Sequence, residues 1–240
     1  MACAAAYSPW MWATEPRPPS ELAIRLSSPS FRQIASLLGG LGSVAHIQGE
    51  YAAAQAMYAE ALDLAERAGD VQQMGQALSG LGRLALHQGD QDSATKYYTE
   101  SMARFREMGD LRRATLILGN LGVVAINTGD LDLAERRLTE HLENARRLGD
   151  RKLTSGALTN LGLVAYRAGD LDRAAALHQQ ALELSGQLGD RRLEVVALGN
   201  LGLVAARREN YIAAAQFWLR SLDLSEAVGE LRSQNCAAAT

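Results

Sequence analysis

Residues 160–190 read NLGLVAYRAGDLDRAAALHQQALELSGQLGD, two helix-length segments each closed by Gly-Asp, at Gly169-Asp170 and Gly189-Asp190. Stepping back forty residues at a time turns Leu161-Gly162 into Leu121-Gly122, Leu81-Gly82 and Leu41-Gly42, and stepping forward gives Leu201-Gly202. A fixed period of this length is the mark of a repeat array. The punctuation runs at half the period. Gly stands at 49, 69, 89, 109, 129, 149, 169, 189 and 229, each followed by Asp or Glu. Glycine accepts the left-handed conformation just past a helix end, and Asp caps the helix that follows. The chain therefore reads as helices of about eighteen residues, each about 27 Å long, joined by short turns that force antiparallel neighbours. One beat is broken, because Glu209-Asn210 stands in place of Gly-Asp. Asn tolerates the left-handed conformation, so a weaker turn of the same kind is expected there.

Composition agrees. Hydrophobic residues make up 48% of the 240 positions and aromatic ones only 5%, so Ala and Leu dominate, as suits helices. A net charge of -3 supplies no drive toward nucleic acid or an anionic membrane, and neither is expected as a direct partner. The two cysteines, Cys3 and Cys236, stand at opposite ends and give neither a disulfide framework nor a metal spacing. No apolar run approaches the roughly twenty residues that span a bilayer. The opening MACAAAYSPW lacks a basic segment, and Ser8-Pro9 cuts its apolar run, so it does not read as a secretory signal. A soluble cytoplasmic chain is the expectation.

Residues 1–17, with Pro9, Pro16, Trp10 and Trp12, read as a disordered leader. Residues 18–30 carry Leu22 and Ile24 where Leu62 and Leu64 fall a period later, the remnant of a degenerate second helix that caps the array. Five helix pairs follow over residues 31–229. Their first helices begin near Phe31, Val71, Leu111, Arg151 and Arg191, and their second near Tyr51, Gln91, Leu131, Leu171 and Tyr211. After Gly229-Glu230 the chain is expected to start a partial capping helix over residues 230–240. That end fits either a natural cap or a cut through a longer array.

On a wheel of about 100° per residue, Leu158, Leu161, Gly162 and Ala165 share the core face. Gly in a helix interior costs roughly 1 kcal/mol against Ala, yet it recurs at Gly42, Gly82, Gly122, Gly162 and Gly202. The steric explanation is a partner helix passing too close for a Cβ atom, opposite the small residues Ala54, Ala94, Ala134, Ala174 and Ala214. Four positions on, Tyr58, Tyr98, Leu138, His178 and Trp218 read as knobs that fill the space between hairpins.

This small–large pattern, Leu158, Leu161, Gly162 and Ala165 followed by Ala174 and Ala181, resembles the tetratricopeptide repeat over residues 31–229. The departures are a period of 40 in place of 34, a Leu in place of the early Trp, and Gly-Asp in place of the closing Pro. Long repeats of this kind are similar to those of kinesin light chains, Leu-Gly-Asn repeat adaptors and helical arrays of bacterial LuxR-type and STAND regulators. The resemblance implies an all-α, right-handed α-solenoid of antiparallel hairpins, a non-enzymatic protein–protein interaction scaffold whose first helices line a concave groove.

Asn160, Leu163 and Arg167 lie about 180° from the core stripe. Their equivalents are Asn120, Val123 and Asn127, then Asn200, Leu203 and Arg207, and earlier Gly80, Arg83 and His87, then Gly40, Ser43 and Ile47. Tyr166 and His46 lie beside them. Asn offers the donor and the acceptor that a peptide backbone demands, Val123, Leu163 and Leu203 offer apolar contact, and Arg167 and Arg207 can pair with carboxylates. In related adaptors Asn at this place contacts bound peptide, so the resemblance implies that Asn120, Asn160 and Asn200 do so here. The alternative is that they bond only to neighbouring side chains and stiffen the superhelix. The sequence leaves both open.

The basic pairs Arg112-Arg113, Arg151-Lys152 and Arg191-Arg192 read as solvated partners of Asp110, Asp150, Asp190 or other acids, which contribute little. His46, His87, His141 and His178 have no zinc spacing. Gly39-Gly40-Leu41-Gly42 lacks the Lys-Ser/Thr of a phosphate loop. No nucleophile–base set and no cofactor motif stands out, so no enzyme, metal or cofactor is expected. Three readings of function remain: an adaptor binding a peptide segment of a partner protein, as a monomer or a weak homodimer through its terminal repeats; the sensor region of a bacterial signalling or transcription regulator; and a truncated fragment with no dedicated partner.

Overall fold

The computed structural model describes the backbone of residues 29–237 and the side chains of residues 31–227. Over that span the chain forms five helical hairpins and, among the described residues, no strand. These are α1 (Pro29–Gln48) with α2 (Tyr51–Ala68), α3 (Val71–Gln88) with α4 (Gln91–Glu107), α5 (Leu111–Thr128) with α6 (Leu131–Arg147), α7 (Arg151–Ala168) with α8 (Leu171–Leu188), and α9 (Arg191–Arg207) with α10 (Tyr211–Ala237). Nine of these ten helices begin at the residue expected from the sequence. The first begins earlier, at Pro29, whose fixed φ and missing N–H suit the first helical position. Pro29 and Ser30 are thus the first helical residues of α1. The expected leader and the rest of the degenerate remnant lie outside the described residues.

The turns work as the punctuation dictates. The eight turn glycines from Gly49 to Gly189 all have φ between 63° and 87°, the left-handed region. Behind them, Asp70, Asp90, Asp110, Asp130, Asp150, Asp170 and Asp190 each accept a hydrogen bond from the backbone N–H three residues on. The broken beat is resolved differently from the expectation. Glu209, not Asn210, takes the left-handed conformation, at φ 60°, while Asn210 Oδ1 accepts from Ala213 N at 3.1 Å and caps α10. Each residue keeps its place in the frame, so the strain falls on the Glu. At Gly229-Glu230 the reversal is not made, and α10 continues to Ala237 in place of the separate capping helix. Glycine permits a turn without requiring one, and an interior reversal is held by the packing of the next helix.

Each helix packs on its neighbours in sequence. Successive first helices also approach one another (α1 with α3, α5 with α7, α7 with α9), whereas no two second helices approach as closely. The row therefore bends toward its first helices, which form the inner wall of an α-solenoid.

The repeated glycines are explained by a different contact from the one expected. A Cβ on Gly42, Gly82, Gly122 or Gly162 would meet not the opposing Ala but the knob of the same hairpin: Tyr58 at 2.9 Å, Tyr98 at 2.8 Å, Leu138 at 2.6 Å and His178 at 2.5 Å. The fifth, Gly202, likewise faces Trp218. The knob lies on the bare backbone of the first helix, and the fully buried Ala54, Ala94, Ala134, Ala174 and Ala214 let the helices come close enough for that. The glycines and alanines are thus two halves of one fit, in which the ring or branched chain takes the volume a Cβ would claim.

The first-helix groove as candidate functional site

The expected stripe is brought together on the inner wall, but its two halves are built differently. In the N-terminal half the polar groups bond to one another. Arg83 Nη2 donates to Tyr58 Oη at 2.7 Å and to Ser43 Oγ at 3.4 Å. Tyr58 Oη donates to Ser43 Oγ at 3.1 Å, and Ser43 Oγ donates to the carbonyl of Gly39 at 3.1 Å. The Tyr58 ring is held between two helices: a Cβ on Gly80 of α3 would meet it at 2.5 Å, as one on Gly42 of α1 would at 2.9 Å. A larger side chain at residue 80, such as the Asn of later repeats, has no room. Beside this network opens a cavity of about 390 Å³, lined among others by Gly40, Ser43, Tyr58, Gly80, Arg83 and Leu116. A Cβ built on Gly40 would meet nothing within 4 Å, so the cavity reaches the helix backbone there.

His87 belongs to this half and is not free to face a ligand with its whole ring. Its Nε2 lies 3.2 Å from Tyr51 Oη, and its ring lies 5.5 Å from that of His46 in an edge-to-face arrangement. Burial lowers the pKa of His46, and the charges of Arg83 and His87 lower it further.

In the C-terminal half the stripe is open. Asn120, Asn160 and Asn200 are half-buried, and none of their amides makes a side-chain hydrogen bond within the described residues or is sealed from solvent. Val123 and Leu163 are half-buried and Leu203 is exposed, while Asn127 is exposed at the groove edge. Arg167 and Arg207 differ from the expectation. Arg167 Nη1 donates to the carbonyl of Ile126 at 2.9 Å, and Arg207 Nη1 to the carbonyl of Tyr166 at 2.7 Å. Each guanidinium reaches back one repeat to the C-terminal end of the preceding first helix, where the helix dipole favours a cation. Arg207 also lies 4.8 Å from the centroid of the Tyr166 ring. The two arginines therefore hold repeats together with one N–H each, and their other N–H groups have no hydrogen-bond partner among the described residues.

Of the basic pairs at the helix starts, Arg112, Arg113 and Lys152 are tied to acids, whereas Arg151 donates to Gln187 and neither Arg191 nor Arg192 has an acidic partner among the described residues. Arg112 Nε lies 2.7 Å from Asp150, and Lys152 Nζ 2.7 Å from Asp190, each reaching the N-cap of the next hairpin. Arg113 pairs with its own cap, Asp110, at 3.0 Å. The Lys152 ammonium holds the Asp190 carboxyl below the usual carboxylate range. Partial burial works to raise Asp150, but the Leu153 N–H and Arg112 outweigh it and hold that carboxyl low as well.

His141 and His178 lie in the core, not in the groove. Burial pushes each down to about 4, with the charge of Asp150 opposing that shift at His141. Both ring nitrogens of His141 and Nδ1 of His178 lack partners. Among the described residues no three His, Cys, Asp or Glu converge as metal ligands, and no helix is long and apolar enough to cross a membrane. The sequence reading missed Tyr58 and Tyr51 as groove residues. The signal was there in the one-period spacing that sets Ser43 beside Arg83, and in the spacing of one period and one residue that sets His46 beside His87.

A family model described as tetratricopeptide repeat matches residues 33–107 and 113–187. The chain belongs to the tetratricopeptide repeat family. Solved structures share its fold. It is similar to BtubC (BKLC) from P. vanneervenii, at 24% identity over 87% of each chain with a TM-score of 0.69. It is similar to the Rap conjugation gene regulator of the plasmid pLS20 in complex with the Phr* peptide, at 15% identity over 78% of this chain and 52% of that one, TM-score 0.71. It is also similar to a Signal Transduction ATPase with Numerous Domains (STAND) protein with a tetratricopeptide repeat sensor from Pyrococcus horikoshii, at 14% identity over 80% of this chain and 30% of that one, TM-score 0.66. The chain thus spans about half of the Rap regulator and under a third of the STAND protein. No curated protein matches the sequence significantly.

Proposed function

We propose that this tetratricopeptide repeat chain is a non-enzymatic protein-interaction scaffold that binds an extended segment of a partner protein along its first-helix groove. The observation that carries the reading is the row of half-buried, unbonded amides at Asn120, Asn160 and Asn200. An amide held in that state has donors and acceptors set at one-repeat intervals on a concave wall, as an extended backbone requires. Among the described residues no hydrogen bond from these amides to a neighbouring side chain supports the alternative, a stiffened superhelix. Val123, Leu163 and Leu203 supply the apolar contacts between the amides. Tyr166 and the spare donors of Arg167 and Arg207 close the groove toward the helix ends. A Rap regulator of the same fold, in complex with the Phr* peptide, is consistent with this use of the array.

The test is capture from native lysate by the wild-type chain beside the triple variant Asn120→Ala, Asn160→Ala, Asn200→Ala, read by mass spectrometry. A partner held by the first and lost by the second supports the groove reading. Identical lists move the function off this wall.

A second reading, a sensor region within a signalling assembly, is favoured by the STAND protein, which carries a tetratricopeptide repeat sensor. A neighbouring reading frame encoding an ATPase or DNA-binding domain that co-purifies with this chain would support it. Purification of the chain alone from cells that express both would count against it.

A further inference from the structure

The two ends of the row are the two halves of one repeated junction. On α5, Ile117, Leu121 and Val124 are no more than 2% exposed, and the same three positions on α3, α7 and α9 are also buried. Their counterparts on α1, Leu37, Leu41 and Val44, are 66%, 53% and 49% exposed. At the other end the pattern is mirrored. The knobs Tyr58, Tyr98, Leu138 and His178 are buried, whereas Trp218 is 43% exposed. Leu222 is also exposed, although its counterpart Leu142 is buried. Ser225 is exposed where Ala65, Phe105, Ala145 and Ser185 are buried.

Inside the chain these two sets meet each other. Tyr98 and Phe105 of α4 pack with Ile117, Leu121 and Val124 of α5. Leu138 and Leu142 of α6 pack with Leu161 and Val164 of α7. The head of the row therefore displays the first-helix half of a junction, and the tail displays the second-helix half.

We propose that the tail of one copy docks on the head of another, with Trp218 and Leu222 of the first covering Leu37, Leu41 and Val44 of the second. A second copy is the occupant these faces fit, because the interior of the chain already builds this junction from the same repeat positions. One such contact covers both exposed faces. The contact is head-to-tail and does not close on itself, so it generates open rows, not a symmetric pair. It also continues the inner wall across the copies, so that the Asn200 end of one groove runs on into the Ser43–Arg83 end of the next.

Sedimentation velocity on the full chain tests this, with two surface-blocked variants. The head block is Leu37→Glu with Leu41→Glu, and the tail block is Leu222→Glu with Ser225→Glu. The expected result is a wild-type mass that rises with concentration past the dimer, loss of all association in each variant alone, and a single one-to-one heterodimer when the two are mixed. Far-UV melting checks that both variants fold. One that does not is replaced by the matching Ser (for Leu37, Leu41 or Leu222) or Lys (for Ser225) substitutions and mixed in the same way. A wild-type monomer at every concentration overturns the proposal, since another occupant then covers these faces. A dimer that persists in either variant alone also overturns it, because that contact would be symmetric.

Discussion

The N-terminal and C-terminal halves of the groove share one backbone frame but place their polar groups in opposite ways. In the first two hairpins Ser43, Tyr58 and Arg83 bond to each other, and the stripe is cut back to Gly40 and Gly80. In the last three hairpins the stripe carries Asn120, Asn160 and Asn200, whose amides make no side-chain hydrogen bond among the described residues. A repeat position thus has no fixed role. At residue 80 the Tyr58 knob leaves no room for a side chain, whereas Gly40 has open space beside it, so both the residue at each stripe position and the room around it decide whether the groove bonds to itself or stays open. The knobs differ in the same sense: tyrosines in the first half, then Leu138, His178 and Trp218.

Acid should separate the halves most strongly. His141 and His178 are held neutral, with pKa values of about 4 in the folded chain against about 6.5 unfolded. Between those values the unfolded state binds more protons, so this contribution to stability is complete above about pH 6.5 and falls as the pH drops toward 4. The loss approaches about 3 kcal/mol for each histidine. In the first half the buried knobs are tyrosines, and burial pushes the Tyr98 phenol up to about 12, outside this window, so only the partly buried His46, shifted down by burial and by the charges of Arg83 and His87, acts in the same direction there. Hydrogen exchange at pH 7 and pH 5 should show α5 to α8 opening first. His178→Leu copies the native Leu138 packing on glycine and should remove about half of the pH slope. Uniform opening along the row would break the comparison.

Gly162→Leu comes next. The added side chain must displace the His178 ring, since even a Cβ would stand 2.5 Å from it. Overpacking of this kind costs about 1–3 kcal/mol, read as a lower midpoint in thermal denaturation. An unchanged curve would remove the knob-on-glycine account of all five hairpins.

How far the fold was legible follows from these particulars. Seven of the nine helix starts could be read because Gly and Asp act locally, through one φ value and one cap bond each, and the other two, at Tyr51 and Tyr211, because Gly49-Glu50 and Glu209-Asn210 keep the same beat. The contact partner of Gly162 could not, because a wheel gives the direction of a side chain and not its reach. The loss of the Gly229 turn was hidden for a related reason, since a turn depends on packing beyond the pair that permits it. In the groove, the position of each stripe residue was legible from the forty-residue step. The back-bonding of Arg167 and Arg207 was not, because it joins a side chain to a backbone carbonyl, which leaves no trace in residue identity.

Smaller effects refine the contrast. Arg167→Ala should cost about 1 kcal/mol of stability, the scale of one hydrogen bond near a helix end. Arg83→Ala should cost a similar amount through the Tyr58–Ser43 network. Melting midpoints of the two variants check both, and a neutral Arg167→Ala would make that arginine a groove residue alone. Glu209→Gly should act in the opposite direction, raising the midpoint by relieving a left-handed φ that costs roughly 1 kcal/mol outside glycine.

The central claim is that the three asparagines bind and do not build. The direct measurement is the affinity of a captured partner segment for the wild-type chain and for the Asn120/Asn160/Asn200 triple Ala variant, with thermal melting of both alongside. At roughly 1 kcal/mol for each lost hydrogen bond, the account predicts an affinity at least about a hundredfold weaker, with melting curves that superimpose. Unchanged affinity, or a melting midpoint that falls along with the affinity, would contradict it.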